Sequence, residues 1–233
     1  MPRPFFSYYG SKWRLAPKYP SPKHSSIVEP FAGSAGYSLR FPYLKVELYD
    51  LDPTVCGVWD YLIKAKKTEI LKLPDIKPSE STEFLKIPQE ARDLIGFWLN
   101  KGSAYPKNKP SKWMISSTRK RETRYWGQYI RERIANQLEH IRHWSIEQKS
   151  FLDIELNKNT TWFIDPPYTE KGHCYRCGSS EIDYLKLAQW CKSRNGQVIV
   201  CEQARATWLP FQPLALARTA KKGRFSKEVV WCN

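Results

Sequence analysis

The chain has 233 residues and a formal net charge of +15, with 38 Lys and Arg against 23 Asp and Glu. Hydrophobic residues make up 41% of it, which excludes a disordered chain and allows one large domain, or one domain with an insertion. With 14% aromatic residues, the positive charge favours a polyanionic partner whose bases stack on aromatic rings, although a solvated basic surface over an aromatic core gives the same composition.

The first part of the chain predicts the start of a parallel α/β sheet. In chain order, the predicted elements are a short strand at 27–28, a small-residue loop at 29–36, a helix start at 37–40, a strand at 46–49 that ends at Asp50, and a helix through Trp59. A strand, a glycine turn, a helix, a second strand and an acid in this order are typical of nucleotide-binding α/β folds.

The middle of the chain, about 65–148, predicts a basic helical insertion. Its elements are a helix from Pro88 to Leu99 with Gly102 placed to cap it, a loop at 103–118, and a helix from about Glu122 with Ile130, Ile134, Leu138 and Ile141 on one face. Residues 101–150 contain 12 Lys or Arg and 4 Asp or Glu, which is more than half of the net charge. The remaining segments, 1–64 and 149–233, would form the catalytic domain.

The last part of the chain returns to the α/β pattern. The predicted elements are an apolar strand at 161–164, a helix over about 182–193, a buried strand at 197–201 and a strand at 228–231. The sequence therefore predicts one α/β domain that is interrupted once.

Targeting signals and a metal centre are not expected. No stretch approaches the roughly 18 apolar residues of a membrane span, and the N-terminal residues lack the apolar segment of a signal peptide, so we expect a cytoplasmic protein without a membrane partner. Cys174-Tyr-Arg-Cys177 is a lone pair of cysteines, whereas a zinc site usually needs a second pair of ligands. We therefore expect reduced thiols and no metal.

The most specific motif is Asp165-Pro166-Pro167-Tyr168, directly after an apolar strand. In open α/β sheets, ligands bind at the carboxyl ends of the strands, where this motif falls. Two prolines remove two backbone donors and leave carbonyl oxygens. A carboxylate, a carbonyl and an aromatic ring suit an amino group on a flat heteroaromatic ring, which Asp165 and the Pro166 carbonyl would accept while Tyr168 stacks on the ring. A plain Pro-Pro turn is the structural alternative.

The second motif is the loop Glu29-Pro-Phe31-Ala-Gly33-Ser34-Ala-Gly36. It lies where a dinucleotide-binding loop would, but it lacks the GxGxxG spacing. Its small residues would let the backbone approach a ligand closely. The acid before the glycines would favour a cationic ligand, such as a sulfonium or an ammonium, over a pyrophosphate.

The third motif is Asp50, at the end of the strand after the glycine loop. An acid in this position commonly binds ribose hydroxyl groups in nucleoside-binding α/β folds. The alternative is a helix N-cap, and Asp52, before Pro53, fits that alternative better than Asp50 does.

Together and in this order, the motifs resemble the Dam-like family (D12 class, α arrangement) of S-adenosylmethionine-dependent DNA adenine N6-methyltransferases. The resemblance covers most of the chain and is carried by Tyr8–Lys12, Val28–Gly36, Leu48–Asp52, Ser150–Asp153 and Asp165–Tyr168. Tyr8 and Ser11 depart from the family's usual Trp-Ala-Gly-Gly-Lys, and Ser150–Asp153 resembles the strand before its catalytic motif. The resemblance implies a Rossmann-like methyltransferase sheet with helices on both faces and a small, basic, mainly helical target-recognition insertion.

The resemblance also implies roles for individual residues. The S-adenosylmethionine cofactor would contact Tyr8, Lys12, Glu29, Phe31, Gly33, Ser34, Gly36, Asp50, Phe151 and Asp165. Asp50 would bind the ribose and Phe151 the adenine of the cofactor, while Asp165 would be shared with the target base. Asp165, Pro166, Pro167 and Tyr168 would form the catalytic site around an adenine flipped out of the duplex.

Double-stranded DNA is the expected partner. The predicted contacts lie in the insertion and are Lys112, Arg119, Lys120, Arg121, Arg124 and Tyr125. Most such cations contact phosphates, and Arg is the usual reader of guanine. Trp126 and Tyr129 belong either to this surface or to the core. We expect a monomer, and the family leaves open a cognate restriction endonuclease as a second partner.

Two alternative functions stay open. Related pockets methylate RNA, protein glutamine or cytosine N4; the basic insertion disfavours a protein substrate, and Asp rather than Ser or Asn at position 165 favours adenine. The second alternative is a DNA-binding module with a decayed catalytic site, in which Cys174 and Cys177 bind zinc. The intact Asp165–Tyr168 motif and Asp50 argue against decay.

Overall fold

The computed structural model describes residues 1–100, 102–112, 115, 126–155, 159–170, 172–218 and 225–233. In this part of the chain, seven strands form one mixed sheet in the order β3-β2-β1-β4-β5-β7-β6. They are β1 (Ser26–Glu29), β2 (Lys45–Asp50), β3 (Ser145–Gln148), β4 (Thr160–Ile164), β5 (Gly196–Gln203), β6 (Gln212–Arg218) and β7 (Phe225–Cys232). Strands β1 to β5 are parallel, and β7 runs antiparallel between β5 and β6.

Successive residues of the central strands are buried on opposite faces of the sheet. Ile27 and Phe163 point into one core, whereas Val28 and Trp162 point into the other. A parallel sheet that is covered on both faces requires such apolar strands, which explains why β1 and β4 were recognisable in the sequence.

Helices cover both faces. They are α1 (Pro53–Lys64), α2 (Lys67–Leu71), α3 (Gln89–Leu99), α4 (Gln128–Gln137) and α5 (Tyr184–Lys192). Helices α1 to α4 bury apolar side chains in the larger core, and α5 buries Leu187 and Trp190 in the smaller one. The predicted Rossmann-like α/β fold with helices on both faces is therefore confirmed.

Two predicted elements at the edge of the site are wrong. Instead of a helix, one 3-10 turn (Ser38–Arg40) follows the glycine loop, because Pro42 restricts the backbone of the preceding Phe41, which ends the turn. The predicted strand at Ser150–Asp153 is also a 3-10 turn, since the Ser150 hydroxyl accepts a hydrogen bond from the Leu152 backbone N–H at 3.3 Å. The strand that precedes this turn is β3, and its mostly polar sequence gave no apolar pattern from which it could be predicted.

The segment predicted as an insertion is part of the same packed body. Strand β3 pairs with β2, so residues 145–148, which the predicted insertion includes, belong to the sheet. Leu94 of α3 and Ile134 of α4 are fully buried in the larger core. Helix α3 ends at Leu99 with Asn100 extended, so Gly102, at φ +81°, follows the helix end instead of capping it.

The predicted DNA contacts are described only in part. Arg119, Lys120, Arg121, Arg124 and Tyr125 lie outside the described residues, and Lys112 is exposed. Trp126 is a core residue, with its indole N–H donating to the Pro74 carbonyl at 2.8 Å, whereas Tyr129 is 45% exposed. Among the described helices, none is both long and apolar enough to cross a membrane.

Candidate active site

A cavity of about 270 Å³ opens where β1, β2 and β4 end. Parallel strands present their carboxyl ends at one edge, so the motifs that follow three different strands meet there. Each residue predicted to contact the cofactor lines this cavity, namely Tyr8, Lys12, Glu29, Phe31, Gly33, Ser34, Gly36, Asp50, Phe151 and Asp165.

The glycine loop is held against the N-terminal segment by close contacts. Gly33 has φ +44°, and a Cβ there would lie 3.0 Å from the Tyr8 ring. A Cβ on Gly36 would lie 2.5 Å from the backbone nitrogen of Trp13, which only glycine permits. The Ser34 hydroxyl donates to the Ser11 hydroxyl at 2.8 Å, so the two motifs form one wall.

Asp50 holds the same loop from the other side. One carboxylate oxygen accepts the Gly33 N–H at 2.9 Å, and the other accepts the Asp52 N–H at 2.9 Å. Burial raises the pKa of Asp50 to about 6, although these N–H groups stabilise its charged form. Each oxygen has a second lone pair that can accept a ligand hydroxyl. Asp52 caps α1 by accepting the Thr54 N–H, as its sequence context predicted.

Glu29 lies deeper in the cavity wall and is 2% exposed. Its carboxylate accepts the Ser38 N–H at 2.9 Å, which ties the strand end to the turn behind the loop. Burial raises the pKa of Glu29 to about 8, against the hydrogen bonds from Ser38. At neutral pH Glu29 is therefore mostly protonated. The sequence predicted that this acid attracts a cationic ligand, and it does so only if the bound ligand lowers the pKa of Glu29.

Two phenylalanines form an apolar wall. The ring centroids of Phe31 and Phe151 lie 5.6 Å apart, and Phe151 is buried against Trp190 of α5. The 3-10 turn that replaces the predicted strand carries Phe151 into this position. The wall offers a flat apolar surface of the size that an aromatic ring covers.

Asp165 forms an ion pair with Lys12. The Lys12 ammonium lies 2.8 Å from both carboxylate oxygens of Asp165 and donates to the Gly10 carbonyl at 3.1 Å. Burial raises the pKa of Asp165 to about 6, and the ammonium opposes that rise. Burial also lowers the pKa of Lys12, but the charges of Asp165 and Glu228 outweigh it, so Lys12 stays protonated. The sequence placed Lys12 beside the cofactor; the structure adds its ion pair with Asp165.

Tyr168 and Pro166 are beside the cavity, and neither is part of its lining. The Lys12 ammonium lies 4.7 Å from the centre of the Tyr168 ring, and the Tyr168 hydroxyl donates to Glu228. Pro167 lines the cavity, and its carbonyl accepts the Tyr184 hydroxyl. The stacking role of Tyr168 stays a prediction.

The loop after β4 covers the cavity, which the sequence did not indicate. The Tyr175 hydroxyl donates to the Tyr9 carbonyl at 3.3 Å, and the Tyr175 and Tyr8 ring centroids are 5.9 Å apart. A Cβ on Gly10 would lie 2.3 Å from the Tyr175 hydroxyl. Arg176 reaches across to Asp52 at 3.5 Å. The order Gly-His-Cys-Tyr-Arg-Cys-Gly gives no periodic signal from which this contact could be inferred.

Cys174 and Cys177 are free thiols in the same loop, and both are partly buried. Cys177 lines the cavity. Among the described residues, no group of three or more His, Cys, Asp or Glu side chains is arranged to hold a metal ion.

Comparison of the sequence with protein-family models and with curated proteins gives no match. Among solved structures, the rRNA methyltransferase AviRa from Streptomyces viridochromogenes is similar with a TM-score of 0.44 and 13% identity, over 100% of this chain and 88% of that one. The glycopeptide N-methyltransferase MtfA, in complex with S-adenosylmethionine, is similar with a TM-score of 0.35 and 13% identity, over 98% of this chain and 67% of that one. At these values neither likeness carries an argument, so the fold assignment rests on the order and direction of the strands.

Proposed function

We propose that the protein is an S-adenosylmethionine-dependent DNA methyltransferase that acts on N6 of an adenine flipped out of the duplex. One observation carries the proposal: Asp165, at the start of Asp-Pro-Pro-Tyr and the end of β4, shares a cavity wall with the glycine loop and Asp50. A donor of a one-carbon group and an acceptor amino group could therefore meet at one carboxylate.

The charge of the cavity supports a cationic ligand. Apart from the mostly protonated Glu29, its acidic lining residues are Asp50, Asp52, Asp165, Glu181 and Asp183, whereas its basic ones are Lys12, Arg176 and Lys186. The protein as a whole has a charge of +15, so this cavity has the opposite sign to its surroundings. An acidic cavity raises the local concentration of a positively charged molecule such as a sulfonium.

The shape of the cavity supports a nucleoside part. Asp50 can accept ribose hydroxyl groups at the lone pairs that the Gly33 and Asp52 N–H groups leave over. The Phe31 and Phe151 wall lies on the same cavity and suits the face of an adenine. The glycine loop lines the same cavity and suits the methionine part.

In this mechanism, bound S-adenosylmethionine supplies a methyl group that moves to the amino nitrogen while its sulfur keeps the bonding electron pair. The ionised Asp165 accepts an N–H hydrogen bond from the target amino group and so turns the nitrogen lone pair away from itself. As the nitrogen becomes positive, Asp165 stabilises it and takes up its proton, which water then removes. Lys12 keeps Asp165 ionised before the step. Catalysis then rests on positioning and electrostatics.

Charge supports a nucleic acid such as DNA as the substrate. The segment 101–150 carries 12 basic and 4 acidic residues, and a polyanion gains affinity from such a concentration of positive charge. A base inside a duplex cannot reach a cavity at a sheet edge, so the adenine has to leave the stack.

The test is transfer of a labelled methyl group from S-adenosylmethionine to DNA of mixed sequence, followed by analysis of the nucleosides. We expect N6-methyl-2′-deoxyadenosine from double-stranded DNA, and about a 100-fold loss of transfer in Asp165→Ala with the fold retained by circular dichroism. Asp60→Ala, which removes a surface carboxylate paired with Lys64, is the matched control.

Each contrary outcome identifies a different error. Label in N4-methylcytosine, or in RNA alone, keeps methyl transfer and overturns the substrate. Normal transfer by Asp165→Ala overturns the assignment of the site, and no transfer by the wild-type protein to either nucleic acid overturns the proposed function.

A further inference from the structure

A buried carboxylate on β7 lies directly behind the Asp165 site. Glu228 is 4% exposed, and none of the sequence motifs includes it. One of its oxygens accepts the Tyr19 hydroxyl at 2.7 Å and also accepts the Tyr168 hydroxyl. The same oxygen lies 3.8 Å from the Lys12 ammonium. Glu228 therefore contacts two of the groups that surround Asp165.

These contacts form one cluster of charges. Asp165 and Glu228 are negative and Lys12 is positive, so the cluster carries one net negative charge when both acids are ionised. An amino nitrogen that accepts a methyl group becomes positive, and a preorganised negative charge stabilises that state more than the neutral amine. Removing the charge of Glu228 would leave the cluster neutral.

We propose that Glu228 is a positioning residue for methyl transfer: it fixes the Tyr168 ring through its hydroxyl and gives the Lys12–Asp165 pair a net negative charge. The inference rests on the proposed function and adds a residue that no motif marks. Glu228 does not line the cavity, so it acts through Tyr168 and Lys12 and has no contact with the substrate.

The effect on pH dependence can be worked out from the groups around Asp165. They are Lys12 and Tyr19 from the N-terminal segment, Glu29 from β1, Cys201 and Glu202 from β5, Glu228 from β7, and Tyr168 and Tyr175 after β4. The negative charge of Glu228 raises the pKa of Asp165. Its removal therefore lowers that pKa, and the acidic limb of the rate profile moves to lower pH.

Glu228→Gln tests both parts of the inference, because an amide keeps the size and one acceptor oxygen but loses the charge. We expect a roughly tenfold lower single-turnover rate at pH 7.5 with unchanged affinity for S-adenosylmethionine by calorimetry, and an acidic limb below that of the wild type. Tyr168→Phe, which leaves every charge in place, lowers the rate without moving the limb. Glu47→Gln removes another buried carboxylate, on β2, and is the matched control.

A second readout needs no turnover: the pKa of the Asp165 carboxyl, followed by carbon-13 NMR, falls in Glu228→Gln and stays unchanged in Glu47→Gln. An unchanged titration of Asp165, or wild-type transfer rates in both Glu228→Gln and Tyr168→Phe, overturns the inference. If the wild-type protein transfers no methyl group, the proposed function fails, while the titration still decides whether Glu228 acts on Asp165.

Discussion

Replacing Lys12 with Met removes the only positive charge that the described residues place against Asp165. The ammonium lies 2.8 Å from both Asp165 oxygens and 3.8 Å from Glu228, and Lys12 is 6% exposed. Methionine has nearly the same length and fills the space, so the change is mainly one of charge. Two buried carboxylates then face each other without a cation, which disfavours the ionised form of Asp165.

The magnitude follows from the pKa of Asp165, which burial already raises to about 6 while Lys12 opposes the rise. A cation at this distance lowers a carboxyl pKa by roughly 1–3 units, so its loss moves the pKa of Asp165 to roughly 7–9. For a rise of about two units, the ionised fraction at pH 7.5 falls from roughly 97% to roughly 24%, and the transfer rate falls about fourfold. Above about pH 9.5 the carboxyl is ionised again and the rate recovers.

The assay is the single-turnover rate of methyl transfer between pH 5 and 10, at saturating S-adenosylmethionine. Lys12→Met should shift the acidic limb upwards and regain most of the wild-type rate at high pH. Lys45→Met, which removes an exposed ammonium that pairs with Glu47 at 2.7 Å, should leave the profile unchanged. An acidic limb that stays near pH 6 in Lys12→Met, or a rate loss that is equal at every pH, would refute the reasoning.

Stability gives the same perturbation an independent readout. Folding raises the pKa of Asp165 above its ordinary value, so protonated Asp165 favours the folded state at low pH and that contribution is lost as pH rises through the folded value near 6. In Lys12→Met the window extends to higher pH. We expect the free energy of unfolding of Lys12→Met to lie about 3–5 kcal/mol below that of the wild type near pH 8, and the difference to shrink near pH 4.

Two further predictions concern the glycine loop and the proposed DNA contacts. Gly36→Ala places a Cβ 2.5 Å from the Trp13 backbone nitrogen and should cost about 1–3 kcal/mol of unfolding free energy and weaken S-adenosylmethionine binding in calorimetry. Gly127→Ala, at the N-cap of α4, meets nothing within 4 Å and should leave S-adenosylmethionine binding unchanged. The affinity for DNA should fall steeply with salt, and replacing Arg119, Lys120, Arg121 and Arg124 together with Gln should reduce the slope of log affinity against log salt by about 3–4 in a fluorescence titration. An unchanged slope would exclude this cluster from the DNA contacts.

The parts of the fold that follow local rules were predictable from the sequence. Strands β1 and β4 carry the apolar runs 27–28 and 162–164 because both faces of a parallel sheet are buried, and Asp52 with Pro53 marks the start of α1. Strand β3 was missed since it lies at the sheet edge, where polar side chains are tolerated. The helix expected after the glycine loop was wrong because the restriction that Pro42 imposes outweighed the pattern before it.

The residues of the candidate site also fall into those that the sequence could predict and those that it could not. Residues that follow a strand end, such as Asp50 and Asp165, share one sheet edge, and the sequence alone brings them together. Glu228 has no such marker, because β7 runs antiparallel and its residues reach the site from the opposite direction, 63 positions after Asp165 in the chain. Its two tyrosine partners come from the N-terminal segment and from the loop after β4, so no spacing along the chain links the three. The role of a residue such as Glu228, which does not contact the substrate, can therefore be inferred only from the packed sheet. Lys12 links Glu228 to Asp165, because its ammonium lies close to both carboxylates.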